Sequence, residues 1–314
     1  MDKFEHIHFN NPQDLISFLT PENKIWGGEQ NHWIFRGQAQ SDWGLHPKLT
    51  REIINDEHTD KTRNSFYWYE NHILNNFINQ CREAGLELPI IQKNHQDISM
   101  LNFDEQLHIS ALGQHYGLPT RLLDWTENRY NAIFFALDII NHFKKYSKTS
   151  DLSIWCLDTQ YTELDGLPLL IEGNKYSLKK FNPLFHGNKN ALSQLGVFTY
   201  MESKFDRTRE NNHVDVIKAT LDKNTADINH YDLNFVLNNG KINFNNRRKN
   251  YTIGYKLTIS RKYFNFLESW LRNRFITYHN LFPSYQGAVI NSTYIWNCLL
   301  RQDGAQSLKT KKHS

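Results

Sequence analysis

The chain has 314 residues, 36 Lys+Arg against 33 Asp+Glu, a formal net charge of +3, and 39% hydrophobic and 14% aromatic residues. That length builds one large domain or two average ones around a core that needs no disulfide or metal. The aromatic content excludes a disordered polymer, and the near-balanced charge excludes a uniformly basic nucleic-acid coat and an acidic tail protein alike.

In chain order, Asn11–Leu19 predicts a short amphipathic helix. Trp33–Gly37 is an apolar run ending in Arg36-Gly37, the pattern of a core strand whose end faces a crevice. Gln38–Arg51, punctuated by Gly44 and Pro47, reads as a loop. Asn64–Ala84 carries Phe66, Tyr67, Ile73, Phe77 and Ile78 near helical spacing, and Gly85–Pro89 breaks it. Ile109–Gly117 reads as the end of a further helix and Thr120–Trp125 as a strand. Thr126 is the expected N-cap of a helix that starts near Asn128 and runs through Ile140 and Phe143. Ser153–Leu157 and Ser193–Tyr200 read as strands, the second with Gly196 inside it.

Residues 203–250 are Asn-rich and weakly periodic, which predicts a polar insertion. Tyr251–Ile259 alternates like a strand. Ser260 then caps an amphipathic helix with a basic outer face, in which Tyr263, Phe264, Leu267, Trp270, Leu271 and Phe275 repeat at 3–4 spacing. A last helix is expected over Tyr285–Leu300. The expected organisation is one domain over residues 1–301 and a flexible basic tail over 302–314. The fold class is α+β, a mixed and strongly bent sheet with helices on its faces.

Cys81, Cys156 and Cys298 are odd in number, far apart and without a CxxC, so neither a disulfide scaffold nor a structural zinc site is expected. The N-terminus has acidic and polar residues where a signal peptide needs an apolar stretch. The most apolar run, Ala132–Ile140, is broken by Asp138 and too short to span a membrane. A cytoplasmic protein without a membrane partner is expected. HExxH, paired CxxC, GxGxxG, GxxxxGK[ST] and Gly-x-Ser-x-Gly are absent, so no metal is expected and the Rossmann, P-loop and serine-hydrolase chemistries are disfavoured.

Several side chains could carry chemistry. Arg36 can clamp a phosphate or carboxylate bidentately, with Gly37 admitting a ligand to the backbone; the alternative is a pair with a carboxylate such as Asp124. His115 and Tyr116 can hydrogen-bond a ribose or amide; alternatively His115 complements a helix dipole and Gly117 is the cap. Asp124 is either an acid/base group or a capping group, and Trp125 either stacks on a ring or fills the core. Lys241–Phe275 holds nine positive residues against Glu268 alone, interleaved with Tyr and Phe. Arg247, Arg248, Lys249, Arg261, Lys262, Arg272 and Arg274 are therefore candidates for holding a nucleic-acid backbone.

Two blocks, Trp33–Arg51 (WIFRGQAQSDWGLHPKLTR) and Gln114–Leu137 (QHYGLPTRLLDWTENRYNAIFFAL), resemble the FRG domain family, named for the motif seen here as Phe35-Arg36-Gly37. Gln194-Leu195-Gly196-Val197-Phe198 and Leu281-Phe282-Pro283…Gly287 match further family elements, so the resemblance spans about residues 31–300. The family is common in bacteria and phage, often beside mobile-element or defence genes. The order of these elements also resembles, more distantly, that of ADP-ribosyltransferases.

That second resemblance implies an ADP-ribosyltransferase-like core with NAD as substrate and Arg36, Asp124, His115 and Gln194 at the chemistry. It places Arg36, Gly37, Gln38, His115, Tyr116, Arg121 and Thr126 around NAD. The departure is Gly196 where such a transferase often has Glu, which leaves Asp124, Glu127 and Glu202 as candidate carboxylates. The function implied is a toxin-like effector passing ADP-ribose to RNA, DNA or protein, in anti-phage defence or under an antitoxin. The rivals are a metal-dependent nuclease using Asp124, Glu127 and His115, and a non-catalytic nucleotide- or phage-component-binding module.

Overall fold

The computed structural model describes residues 4–26, 32–57, 63–88, 101–141, 150–160, 167–171, 174–183, 193–203, 241–242 and 252–310. Its strands are β1 (Phe4–Phe9), β2 (Trp33–Gln38), β3 (Leu123–Thr126), β4 (Asp151–Asp158), β5 (Leu167–Ile171), β6 (Asn174–Phe181), β7 (Gly196–Ser203), β8 (Lys241–Ile242) and β9 (Gly254–Ser260). They form one mixed sheet in the order β1-β9-β4-β2-β3-β7-β6-β5-β8. The β1–β9 pair is parallel and the other pairs are antiparallel. The helices are α1 (Pro12–Phe18), α2 (Lys48–Asn55), α3 (Arg63–Glu83), α4 (Phe103–His115), α5 (Arg129–Leu137), α6 (Phe264–Arg272), α7 (Tyr278–Leu281) and α8 (Tyr285–Thr310). The α+β class and the mixed, helix-flanked sheet are as expected. No helix among the described residues is long and apolar enough to cross a membrane.

The central strands are apolar on both faces, so their alternate residues build two cores. Trp33 and Phe35 of β2 join Leu152, Ile154 and Cys156 of β4 under α1, α5 and α6. Ile34 of β2 joins Trp155 and Leu157 of β4, Trp125 of β3 and Leu49 and Ile53 of α2. Helix α5 lies directly on β2, and this is what Gly37 permits: a Cβ there would sit 1.8 Å from the Ala132 carbonyl oxygen. The close approach is made by a helix, where the sequence reading expects a ligand.

Several boundaries differ from the expected ones. The stretch Gln38–Arg51, read as a loop, turns into α2 at Lys48. The N-cap of α5 is Asn128, whose side chain accepts from the Tyr130 and Asn131 amides. Thr126 instead donates to the Gln194 carbonyl and accepts from the Asn128 amide. Helix α5 stops at Leu137, short of Ile140, because Asp138 turns into the left-handed region at φ 43°. Helix α8 continues to Thr310, into the segment read as a flexible tail. The expected insertion, with Arg247, Arg248 and Lys249, lies outside the described residues, apart from the β8 pairing with β5.

Candidate functional site

β2 and β3 are joined through one residue pair, Phe35 with Thr126. Beyond it the Arg36 guanidinium occupies the gap, donating 2.7 Å to the Asp124 carbonyl and lying 3.7 Å from its carboxylate. Asp124 is held from the other side by the Gln114 side-chain amide, and the Thr120 hydroxyl donates to Gln114 in turn. A polar chain therefore runs from Thr120 through Gln114 and Asp124 to Arg36. The two ends of the Asp124–Arg36 pair differ in access: the Arg36 side chain is 16% exposed and that of Asp124 60%.

The end of β2 opens on a cleft of about 550 Å³. Its walls are Arg36 to Ala39, the loop residues Asp42, Trp43, Gly44 and His46, then Arg51, Ile54 and Asn55 of α2, with Phe135 and Asp138 at the end of α5. The loop is braced from inside by Gln38, whose amide nitrogen donates 2.8 Å to the Gly44 carbonyl while its oxygen accepts from the Trp155 indole at 2.7 Å. Arg51 is fixed across the same loop by donating 2.7 Å to the His46 carbonyl. Helix α2 is held against the α4–β3 turn: Lys48 Nζ reaches the Gly117 carbonyl and the Leu49 amide the Thr120 carbonyl. Gly117, at φ 98°, ends α4 in a conformation other residues adopt at a cost, which makes that turn possible.

Burial lowers the Arg36 pKa from its ordinary value; Asp124 acts against this, and the nearby Arg51 adds to it. Two guanidinium groups thus feel each other at one wall of the cleft. Arg36 Nε is enclosed and has no acceptor among the described residues. Asp42 and Asp138 put negative charge elsewhere in the lining, and Trp43, 39% exposed, adds an accessible ring. The cleft therefore offers both signs of charge and a flat apolar surface, a combination suited to a small polar ligand with a ring.

The sequence-derived site residues divide into those at the cleft, those beside it and those elsewhere. Arg36, Gly37 and Gln38 line it. His115 and Tyr116 end α4, their rings edge to face at 5.0 Å, with Tyr116 74% exposed. Burial lowers the His115 pKa, while the Asp124 charge acts in the other direction. Arg121 is not available to a ligand: it is buried and forked onto Glu70 of α3. Gln194 lies past the far end of β3, its carbonyl taken by Thr126 and Asn131 and its amide donating 3.2 Å to the Leu281 carbonyl. This pins two of the short motifs to each other and keeps Gln194 out of the cleft.

The spare carboxylates are committed as well. Glu127 pairs with Lys180 at 2.9 Å and Glu202 with Lys179 at 2.7 Å. Trp125 is a core residue whose indole donates 2.8 Å to Thr199.

Four of the candidate basic side chains are engaged within the protein itself. Arg261 is buried and donates to the carbonyls of Ala39, Ala136 and Leu137, so it closes the end of α5 and the start of the cleft loop. Arg272 pairs with Glu268 on its own helix, and Arg274 stacks 3.7 Å over Trp270. Lys262 lies 4.9 Å over the Tyr263 ring. Among the described residues no group of three or more His, Cys, Asp or Glu side chains is arranged to hold a metal ion. Asp42, Trp43, His46, Arg51 and Asp138 were not singled out from the sequence as site residues. Four of them lie inside the quoted Trp33–Arg51 block, and their polar and aromatic crowding after a strand end was the available signal.

Comparison with curated proteins and with solved structures returns no match. A family model does match: residues 31–145 correspond to the FRG domain. Those residues contain β2, the cleft loop, α2, the α4–β3 turn and α5, so every wall of the cleft is drawn from the matched segment. Residues 31–145 thus match the FRG domain, and the cleft is built within that matched segment.

Proposed function

We propose that the cleft binds NAD and that the chain transfers ADP-ribose from it to a macromolecule, with RNA or DNA ahead of protein as acceptor. The observation that carries this reading is the juxtaposition of Arg36 and Arg51 at one wall of the cleft, with Trp43 and two aspartates in the same lining. Paired guanidinium groups suit a pyrophosphate. The ring of Trp43 suits a base or the nicotinamide, and a carboxylate suits the positive charge that nicotinamide carries in NAD.

In the transfer, the bond between nicotinamide nitrogen and ribose C1′ breaks and its electron pair leaves with neutral nicotinamide. A nucleophile of the acceptor forms the new bond at C1′, and its proton passes to a carboxylate or to water. Asp124 is the candidate for that role, because it is exposed, lies beside Arg36 at 3.7 Å and is oriented by Gln114, whereas Glu127 and Glu202 are held in the closer pairs with Lys180 and Lys179. An enzyme acting on so general an acceptor is toxic. That supports a defence or toxin–antitoxin setting, with a regulatory partner that holds it in check.

The test is calorimetric titration with NAD, followed by mass spectrometry of RNA, DNA and protein after expression. The wild-type chain is expected to bind NAD and to leave ADP-ribose mass on the acceptor. Arg51→Ala, on an exposed helix position, is expected to keep the fold and weaken NAD binding by roughly tenfold or more. Wild-type chain that does not bind millimolar NAD overturns the proposal. Binding without transfer reduces it to a nucleotide-binding module, and RNA cleavage without NAD favours the nuclease.

A further inference from the structure

Over Tyr285–Leu299, helix α8 has two uncharged and mostly apolar faces. Gly287, Asn291, Tyr294 and Cys298, at 4-3-4 spacing, form the face turned to the body, where Tyr294 is buried. Half a turn away, Tyr285, Val289, Ser292, Trp296 and Leu299 follow at 4-3-4-3 spacing and face outward. Tyr285 is 95% exposed, Val289 64%, Trp296 58% and Leu299 49%, with Ile295 at the margin. From Tyr285 to Leu300 there is no Asp, Glu, Lys, Arg or His. A helix that lies on a body normally turns a charged face to water, and one that is apolar all round is buried all round.

We infer that this outer face is the interface between two copies of the chain. The 4-3 spacing is the repeat by which one helix seats its side chains between those of another helix of the same kind. The absence of charge suits a like partner, since two identical copies meet there without placing like charges together, while a different partner is normally selected by complementary charge. The area is also sufficient. At roughly 150–250 Å² per aromatic side chain and somewhat less for Val, Ile and Leu, the exposed residues present roughly 600 Å² per copy. Two copies then hide roughly 1,200 Å², within the range of specific interfaces. The pairing is isologous, the same stripe on each copy.

Light scattering of the full-length chain across 1–100 µM tests it. The wild-type chain is expected at twice the 37.3 kDa of one copy. The double variant Val289→Glu/Trp296→Glu is expected at one copy with an unchanged circular dichroism spectrum, since both positions are exposed. Trp68→Glu, an equally exposed tryptophan on α3, is expected to leave the dimer intact. A wild-type chain of single mass, a dimer that survives the double variant, or one that Trp68→Glu also dissociates overturns the assignment. None of these readouts involves NAD, so the outcome is separate from that of the proposed activity.

Discussion

Gly37 lies where β2 and α5 touch, and the contact leaves no room for a side chain. A methyl group would stand 1.8 Å from the Ala132 oxygen and 2.5 Å from the Ala136 nitrogen, both backbone atoms that cannot rotate away. Gly37→Ala therefore has to push α5 off the sheet, and its expected cost is at least about 3 kcal/mol. A urea titration beside wild type checks it; an unchanged midpoint would mean that the contact yields easily. The glycine was legible in the sequence as a place of close approach, but a sequence does not say what approaches. The same limit holds for the arginines. Arg36 with Asp124 was legible because both stand in short motif blocks, whereas the partner of Arg121, Glu70, is 51 positions away on a helix that no motif marks. Both groups there are buried, and a buried guanidinium needs acceptors that satisfy it, here the Glu70 carboxylate, so the structure reassigns Arg121 from ligand to core.

Element ends decided most of the remaining differences. Apolar spacing continues past Leu137, and periodicity alone carries α5 on to Phe143; the stop comes from one backbone torsion at Asp138, a residue type that tolerates the left-handed region. Arg261 shows the same effect at a helix start. Ser260 caps as expected, but what it caps is a 3-10 turn over Arg261–Tyr263 ahead of α6, and Arg261 is turned inward to the carbonyls ending α5, where its charge complements the negative end of the helix dipole. At the other end of α6, the Ile276 amide returns to the Leu271 carbonyl and the Phe275 amide to the Arg272 carbonyl, each at 3.0 Å. That is a closing turn with Phe275 at the position glycine usually takes, at φ 58° and 80% exposed. Phe275→Gly removes backbone strain and loses little packing, so it is expected to stabilise the chain by about 0.5–1 kcal/mol, readable as a higher melting temperature. If the melting temperature falls instead, the ring makes contacts that offset the strain.

For the acid response of the molecule, two histidines among the described residues have values displaced to the acid side, His108 and His115, both on α4. Burial lowers each below the ordinary histidine value, and in each case a carboxylate acts the other way, Asp104 for His108 and Asp124 for His115. The sign follows from proton counting. Between the ordinary value near 6.5 and the lower folded value, the unfolded chain binds more protons than the folded one. The contribution of these two residues to stability is therefore complete above pH 6.5, falls as the pH drops below it, and levels off once the folded pKa is passed. His108 packs against the ring of Phe181 on β6, and His115 adjoins the turn that carries α2 and with it Arg51. Protonation consequently weakens the fit of α4 to both the sheet and the cleft. The urea midpoint of the wild-type chain should drop between pH 7.5 and 5. In His108→Gln/His115→Gln the drop should be shallower, because the variant keeps polar side chains of similar size that do not charge. Equal acid slopes in the two proteins would show that carboxylates elsewhere control the acid response and that α4 stays seated when its histidines are protonated.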